Sequence, residues 1–103
     1  MSVRKILIIG GTGVISSAVL GMLAKSRDTE LYVINRGHRP LPVMANHIIC
    51  DANDTVEMQK IIGSTVFYAV IDFVVYTPDQ AIDRVYLFQN HTRQYIFIST
   101  VVV

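Results

Sequence analysis

Short aliphatic runs alternate along this chain with segments whose apolar residues recur at helical spacing. Residues 5–9 and 31–34 form two such runs, and residues 13–25 between them show the helical pattern. An aliphatic run without polar alternation is typical of a strand buried on both faces, as in a parallel sheet covered by helices. The composition agrees, with 51% hydrophobic and only 17% charged residues. The pattern therefore predicts an α/β fold.

The full pattern predicts the element order β-α-β-β-α-β-α-β. Right-handed crossovers then give a Rossmann-like doubly wound parallel sheet of about five strands in the order 3-2-1-4-5, with a ligand site at the carboxyl ends of strands one and four. A length of 103 residues suits one domain, residues 1–103. The predicted strands cover residues 5–9, 31–34, 47–50, 69–75 and 95–103, and residues 37–42 form a loop.

Capping signals locate the second and third helices. Asp54 predicts one helix start, and Gly63 predicts the end of that helix. Thr77, Pro78 and Gln80 together predict the other start. The predicted buried faces are Val14, Ile15, Ala18, Val19, Met22 and Leu23 on the first helix, Met58, Ile61 and Ile62 on the second, and Ala81, Ile82, Val85 and Phe88 on the third.

Charge and composition argue against several classes of function. The formal net charge of +1 gives no electrostatic reason to expect nucleic acid or a membrane surface as a partner. No stretch approaches the roughly 20 apolar residues of a membrane helix, and the amino terminus lacks a signal-peptide pattern. Cys50 is the only cysteine, so no internal disulfide can form, which favours a reducing compartment. We expect a cytoplasmic protein.

A glycine-rich turn follows the first predicted strand directly and precedes the first predicted helix. Gly10 permits a tight turn, and Gly13 removes a side chain where a pyrophosphate approaches the backbone. The free N–H groups of the first helical turn and the positive end of its dipole then face the ligand. This context predicts a dinucleotide site at Gly10, Thr12, Gly13, Val14 and Ile15. The alternative is a turn that needs glycine for backbone reasons only.

The same turn carries a family resemblance. The chain reads Ile8-Ile9-Gly10-Gly11-Thr12-Gly13-Val14-Ile15 there, and this segment resembles the start of the NAD(P)-dependent epimerase/dehydratase family, the extended short-chain dehydrogenases/reductases. The resemblance covers essentially the whole chain but only the first part of a family member. It implies the cofactor half of a nucleotide-sugar epimerase, dehydratase or reductase-like enzyme. It does not indicate the substrate, because the carboxyl-terminal part of family members supplies the substrate pocket.

The end of the second predicted strand bears on the choice of dinucleotide. NAD-binding Rossmann domains normally have an acidic residue there for the ribose hydroxyls, whereas this chain has Asn35 followed by Arg36. Asparagine removes a charge that would repel a 2′-phosphate, and Arg36 can bind that phosphate through charge-assisted hydrogen bonds of about 1.5–3 kcal/mol. We therefore expect NADP as the cofactor, with NAD as the alternative. A solvated basic loop is the other interpretation of Arg36.

Further candidate positions follow the third and fourth predicted strands. The resemblance implies that Asp51 and Ala52 hold the adenine ring, although an Asx-type turn explains Asp51 equally well. It also implies that Phe73 flanks the ribose as a wall of the cleft, with plain core packing as the alternative. Asp72 needs a partner because a carboxylate in a buried strand is costly. The sequence does not indicate which residue supplies that partner.

The chain lacks the main catalytic residues that the resemblance implies. Family members use a Tyr-x-x-x-Lys segment in which the lysine lowers the pKa of the tyrosine, and no such spacing occurs here. Thr100 matches the hydroxyl that hydrogen-bonds the substrate oxygen, with an ordinary polar strand end as the alternative. We expect a truncated chain that binds a dinucleotide without turnover. The histidines lack metal-ligand spacing, so no metal site is expected.

Several expectations concern alternative roles and partners. A non-catalytic nucleotide-sensing or interaction protein of the same fold is the alternative to an enzyme, and a downstream Tyr-x-x-x-Lys would separate the two. The run Asn35-Arg36-Gly37 resembles chloroplast stem-loop RNA-binding relatives, but the near-neutral charge argues against nucleic acid. The fifth strand, with Ile96, Phe97 and Ile98, would form an uncovered edge of high β-propensity. We therefore expect self-association through this strand or through an exposed sheet face.

Overall fold

The structure, a computed structural model, describes residues 3–10, 14–38, 40–41 and 43–98, with only the backbone of Val14. The elements follow the predicted order. The fourth strand ends at Asp72, earlier than predicted. Ile98 lies just beyond the end of the fifth strand, and residues 99–103 of the predicted fifth strand lie outside the described residues. The elements are β1 (Arg4–Ile9), α1 (Val14–Ala24), β2 (Thr29–Asn35), β3 (Asn46–Ile49), α2 (Thr55–Ile62), β4 (Ala69–Asp72), α3 (Pro78–Phe88) and β5 (Tyr95–Phe97).

The described strands form one parallel sheet in the order β3-β2-β1-β4-β5. This confirms the predicted Rossmann-like topology. Ile9 on β1 pairs with Ile34 on β2 and with Asp72 on β4, so these three strands end at the same level. Open α/β sheets bind ligands outside the carboxyl ends of the strands, at the point where the strand order reverses. In this sheet that point lies between β1 and β4.

Helices cover both faces of the sheet, as a doubly wound fold requires. α2 and α3 pack on one face. α1 packs on the other face, together with Leu41, Val43 and Ala45 from the connection between β2 and β3. The buried cores are Leu7, Ile9, Ile34, Cys50, Ala52, Met58, Ile62, Phe67, Val70, Leu87 and Phe88 on the α2/α3 face, and Ile6, Ile8, Leu20, Leu31 and Val33 on the α1 face.

Side-chain caps fix the starts of α2 and α3. Asp54 Oδ1 accepts a hydrogen bond from the backbone N–H of Glu57 at 3.1 Å. Thr77 Oγ1 accepts one from Gln80 N–H at 3.2 Å, and Gln80 Oε1 accepts one from Tyr76 N–H at 2.8 Å. Each cap satisfies a backbone donor that would otherwise lack a partner. The predicted starts of both helices are confirmed.

The buried face of α2 is also the predicted one. Met58 and Ile62 are buried, and Ile61 packs against the same core. Gly63 ends the helix with a positive φ of 56°, and its N–H donates to Gln59 O at 3.0 Å. The apolar period identifies the face correctly here because every buried side chain of α2 is apolar.

The predicted buried face of α3 is wrong in part: Phe88 is fully buried as predicted, and Ala81 is half-buried. Ile82 and Val85 are 53% and 51% exposed, whereas Arg84 is only 3% exposed and faces the sheet with Phe88. The helix is turned so that Arg84 reaches Asp72 on β4. Burying a large aliphatic side chain fully gains about 1.5–3 kcal/mol, whereas an unpaired buried charge costs several kcal/mol. The need of the buried Asp72 carboxylate for a cationic partner therefore determines the orientation of α3.

The predicted stripe of α1 is wrong in part. Leu20 and Ser16, one helical turn apart, are buried against the sheet instead. The sequence of α1 is apolar on more than one side, so its periodicity does not select a unique face. Among the predicted residues, Ile15, Ala18 and Met22 are exposed, Val19 and Leu23 pack partly against the core, and the Val14 side chain lies outside the described residues.

Two surface features bear on partners. In the described parts of the chain, no helix combines the length and the apolar character needed to cross a bilayer. β5 pairs only with β4 among the described strands and so forms one edge of the sheet, with Ile96 and Phe97 partly exposed. The expected self-association through this strand stays a prediction.

Candidate functional site

A cleft opens at the carboxyl edge of the sheet. Its volume is about 260 Å³, slightly below the range for small-molecule pockets, about 300–1,000 Å³. The cleft brings together residues that follow β1, β2, β3 and β4, as the topology predicts. Five lining residues were assigned to a cofactor site from the sequence, namely Gly10, Asn35, Arg36, Asp51 and Ala52, and the others are Ile9, Ile34, Gly37, His38, Cys50, Asn53, Val74 and Tyr76.

Gly10 makes the turn out of β1. Its φ of 106° lies in the region that favours glycine, and its N–H donates to Ile34 O at 2.8 Å. A Cβ at this position would lie 3.2 Å from Phe73 Cβ and 3.2 Å from Val74 Cγ2. The backbone conformation therefore favours glycine here, and a Cβ would in addition require Phe73 or Val74 to shift by a few tenths of an ångström.

Part of the glycine-rich turn lies outside the described residues. Residues 11–13 of this turn are not described, so the roles predicted for Thr12 and Gly13 stay predictions. Thr100, far from this turn in the sequence, also lies outside the described residues, and its predicted role stays a prediction. α1 begins at Val14, and Ile15 in its first turn is exposed. The first turn of an α-helix leaves backbone N–H groups without an intrahelical partner, and such groups are suited to binding an anion.

Asn35, at the end of β2, is held by three hydrogen bonds. Its Nδ2 donates to Gly10 O at 3.2 Å, and its Oδ1 accepts from Gly37 N–H at 2.8 Å and contacts His47 Nε2 at 2.6 Å. Because Oδ1 can only accept, Nε2 of His47 carries the proton in this contact. We refer to Asn35, Gly37, His47 and the Gly10 carbonyl as the Asn35 cluster. It ties the turn after β2 to the turn after β1.

Arg36 follows this cluster at the rim of the cleft. Its side chain is exposed and forms no ion pair with another described residue. His47 was not identified from the sequence, because its contact with Asn35 depends on the register in which β3 pairs with β2. A prediction of strand register, in which Val33 pairs with His47, would have been needed to find it.

The turn after β3 forms another wall of the cleft. Asp51 Oδ1 accepts from Asn53 N–H at 2.9 Å, and Asp51 O accepts from Asp54 N–H at 2.9 Å. This is the Asx-type turn that the sequence offered as the alternative for Asp51. Asp51 itself is exposed, whereas Ala52 is buried against the core. The turn therefore orders the residues that line this wall.

Asp72, at the end of β4, is fully buried, and the structure supplies the partners that the sequence did not indicate. Its Oδ2 accepts from Arg84 Nε at 3.0 Å and from Tyr95 OH at 2.7 Å, and its Oδ1 accepts from Val74 N–H at 2.8 Å. We refer to these four residues as the Asp72 cluster. Burial, the hydrogen bond to Asp72 and the charge of Asp72 raise the pKa of Tyr95. The phenol therefore stays protonated and donates to the carboxylate.

Arg84 connects the Asp72 cluster to the cleft. Its Nη1 donates to Asn53 Oδ1 at 3.3 Å, and Asn53 lines the cleft. Its Nη2 is buried and has no hydrogen-bond partner among the described residues. Neither Arg84 nor Asn53 is indicated by the sequence, because the contact joins side chains 31 positions apart. The one usable signal was the buried carboxylate of Asp72, which required a partner.

Phe73 is not among the described residues that line the cleft. It packs against the core beneath α1, while the next residue, Val74, lines the cleft on the other side of the sheet. Successive side chains of an extended chain point to opposite faces, which accounts for the difference. The observed packing corresponds to the core alternative for Phe73, and its predicted role beside a ribose stays a prediction.

Cys50 contributes a thiol to the lining of the cleft. Burial raises the pKa of its thiol, and the carboxylates of Glu57, Asp54 and Asp51 raise it further. A thiol with a raised pKa is a poor nucleophile near neutral pH. Among the described residues, no three His, Cys, Asp or Glu side chains are grouped so that they could hold a metal ion. The described part of the cleft thus offers groups for binding and for hydrogen bonding.

Several solved structures share this fold. A short-chain dehydrogenase/reductase from Veillonella parvula is similar with a TM-score of 0.78 and 16% identity, over 96% of this chain and 48% of the other. A short-chain dehydrogenase family protein from Francisella tularensis is similar with a TM-score of 0.72 and 14% identity, over 93% of this chain and 50% of the other. A Rossmann-fold NAD(P)-binding family protein from Shigella flexneri is similar with a TM-score of 0.69 and 20% identity, over 91% of this chain and 50% of the other.

The sequence itself gives no comparable match. No protein-family model and no curated protein matches it. The chain spans about half the length of the three solved structures. At identities of 14–20%, the likeness establishes the fold alone. The chain therefore shares the Rossmann-type fold of these short-chain dehydrogenase and NAD(P)-binding structures.

Proposed function

We propose that this chain binds a dinucleotide, NADP in preference to NAD, in the cleft at the carboxyl edge of the sheet. One observation carries the proposal: Gly10, Asn35, Arg36 and Asp51, which lie at or just after the carboxyl ends of three different strands, line a single cleft. Open α/β sheets bind their ligands at this position. The fold that the chain shares with short-chain dehydrogenase and NAD(P)-binding structures supports the same proposal.

The glycine-rich turn is the proposed diphosphate site. Gly10 leaves β1 with a φ of 106°, and α1 begins at Val14. Unpaired N–H groups at a helix start, together with the positive end of the helix dipole, favour an anion. Thr12 and Gly13 complete this proposed site on the strength of the sequence pattern.

Arg36 is the proposed partner of the 2′-phosphate. Its exposed side chain lies at the cleft and has no competing carboxylate among the described residues. Asn35 beside it carries no charge, and its carboxamide is engaged in the Asn35 cluster. The charge-assisted hydrogen bonds of Arg36 to a phosphate are worth about 1.5–3 kcal/mol. Such an energy corresponds to an affinity for NADP about tenfold to a hundredfold higher than for NAD.

The turn formed by residues 51–53 is the proposed adenine-side wall. Asp51 is exposed at the cleft, so its carboxylate can accept from an exocyclic amine. Ala52, the next residue, is small and apolar and also lines the cleft. The Asx turn at Asp51 is compatible with this role, because Asn53 N–H occupies only Oδ1 of the carboxylate in the described contacts.

The proposed biological role is the cofactor-binding part of an oxidoreductase or of an epimerase-like enzyme. The solved structures that share the fold are about twice as long as this chain. The 103 residues contain no Tyr-x-x-x-Lys spacing, so for this chain we propose binding without turnover. Thr100 is the proposed contact to a substrate oxygen.

Isothermal titration calorimetry with NADPH and with NADH tests the proposal. We expect the unmodified chain to bind NADPH at least about tenfold more tightly than NADH, from the energy of the Arg36 contact. Arg36→Gln should remove most of this preference and leave the affinity for NADH unchanged. Arg27→Gln is the matched control, because Arg27 is an exposed arginine in the turn before β2, at the opposite edge of the sheet.

Three results would count against parts of the proposal. If neither nucleotide binds to a sample that circular dichroism shows to be folded, the binding proposal fails. Equal affinities for NADPH and NADH would reject the role of Arg36. Gly13→Asp introduces a carboxylate at the proposed diphosphate site, so unchanged affinity in that variant would reject the site.

A further inference from the structure

Arg84 is a buried cation that reaches from α3 to a wall of the cleft. It is 3% exposed, and it pairs through Nε with Asp72, which is itself fully buried. Tyr95 donates to the same oxygen of Asp72, and Val74 N–H donates to the other oxygen. The carboxylate is thereby fixed, and so is the guanidinium. Nη1 of Arg84 donates a hydrogen bond to Asn53 Oδ1.

Stability alone does not account for a charge at this position. The desolvation of a buried ion pair can exceed the attraction between its members, and well-packed apolar residues of similar volume are often as stable or more stable. The pair here carries a further cost, because Nη2 of Arg84 is buried without a hydrogen-bond partner among the described residues. The geometry that Arg84 imposes on Asn53 provides an additional reason for the guanidinium.

We propose that Arg84 is a positioning residue that holds the turn of residues 51–53 in place as the adenine-side wall of the cleft. The inference rests on the proposed nucleotide binding for the identity of that wall. Asp72 and Tyr95 hold Arg84, and Arg84 holds the side chain of Asn53. The backbone N–H of Asn53 in turn donates to Asp51 Oδ1. β4 and α3 are thus coupled to the residues proposed to contact adenine.

A guanidinium suits this role better than an ammonium group. Its donors diverge in a rigid plane, so Nε and Nη1 can engage acceptors on two different elements at once. A lysine at the same position keeps the positive charge near Asp72 but concentrates its donors at a single nitrogen. Arg84→Lys therefore separates the ion pair from the hold on Asn53.

Amide hydrogen exchange, measured by NMR without nucleotide, tests the hold on the turn directly. In Arg84→Lys, the amide of Asn53 should exchange about threefold to tenfold faster, as expected for the loss of one hydrogen bond. The amide of Gly63, which donates to Gln59 O at the other end of α2, is the control. A merely destabilised fold would accelerate both amides, whereas the proposed role accelerates the amide of Asn53 selectively.

Nucleotide affinity tests the consequence for the cleft. We expect Arg84→Lys to bind 2′,5′-ADP, the adenine half of NADP, about threefold to tenfold more weakly than the unmodified chain. The affinity for nicotinamide mononucleotide should not change, because that half does not require the adenine-side wall. A uniform loss for both halves would point to a general structural defect and would overturn the positioning role.

A second variant covers the case in which Arg84→Lys does not fold. Asn53→Ala removes the acceptor of Nη1 and leaves the pair between Asp72 and Arg84 intact, and the amide of residue 53 should again exchange faster. Unchanged exchange of residue 53 in every folded variant would overturn the inference. If the unmodified chain binds no adenine nucleotide, the proposed function fails, and the exchange measurement still decides whether Arg84 holds the turn.

Discussion

Two polar clusters flank the cleft, and they differ in burial and charge. The Asn35 cluster is neutral in its central side chain, and its bonds to Gly37 and His47 are exposed. The Asp72 cluster contains a formal ion pair whose two side chains are almost completely buried. Water can replace a lost partner in the first cluster but cannot readily reach the second. The same number of lost hydrogen bonds should therefore cost far more free energy of unfolding at Asp72 than at Asn35.

Arg84→Ala should produce the largest effect in this comparison. It leaves Asp72 as a buried charge without its cationic partner, which typically lowers the free energy of unfolding by about 3–5 kcal/mol. That is a large part of the roughly 5–15 kcal/mol that stabilises a domain of this kind. Urea unfolding measures the loss. The double variant Asp72→Leu with Arg84→Met should recover most of it, because both charges are removed together.

Either of two urea results would remove the contrast between the clusters. A loss below about 1 kcal/mol in Arg84→Ala would mean that water solvates Asp72 as it would a surface residue. A double variant as unstable as Arg84→Ala would mean that packing, rather than the unpaired charge, determines the loss.

Tyr95→Phe should have an intermediate effect. The substitution removes the donor to Asp72 Oδ2 at 2.7 Å but keeps the ring, which stacks on Phe88 with ring centroids 5.7 Å apart. A hydrogen bond to a charged group contributes about 1.5–3 kcal/mol, and we expect a loss near the lower value because Tyr95 is only partly buried. Urea unfolding checks this, with Tyr76→Phe as the control because Tyr76 is exposed. Equal losses in both variants would contradict the expectation.

The pH dependence sharpens the same expectation. Burial, and then the contact with Asp72, raise the pKa of Tyr95 above its ordinary value of 10.0, so the folded chain holds this proton more tightly than the unfolded chain. The stabilisation is complete below about pH 10 and is lost as the pH rises above that value. The pKa of Tyr32 is also raised, mainly by its hydrogen bond to Glu30. The difference in free energy of unfolding between the unmodified chain and Tyr95→Phe isolates the contribution of Tyr95. This difference should become smaller above about pH 10.

The two helices on one face of the sheet show how far local sequence determines this fold. For α2, the cap at Asp54, the end at Gly63 and the apolar period identify the start, the end and the face correctly. For α3, the cap at Thr77 identifies the start, but the period is right only in part: Phe88 is buried as predicted, whereas Ile82 and Val85 are exposed. Arg84 faces inward because of Asp72 on a neighbouring strand. A long-range polar contact of this kind leaves no trace in helical periodicity.

The candidate site divides in the same way. Topology places the residues that follow β1, β2 and β3 at one edge, so Gly10, Asn35 and Asp51 could be found from the sequence. His47 and Asn53 could not, because their contacts depend on strand register and on side-chain reach. The position of Asp72 in a buried strand indicates that it needs a partner, but the partner, Arg84, is set by how α3 packs on the sheet.

His47→Ala should have the smallest effect and so completes the comparison. It removes one contact of Asn35 Oδ1, yet Gly37 N–H still donates to that oxygen and the site is open to water. The free energy of unfolding should therefore fall by less than about 1 kcal/mol, within the range of an exposed hydrogen bond. Urea unfolding in the same buffer as Arg84→Ala gives a direct ranking. A loss above about 2 kcal/mol would show that the Asn35 cluster behaves as a buried network, and water access would then no longer explain the difference between the two sides of the cleft.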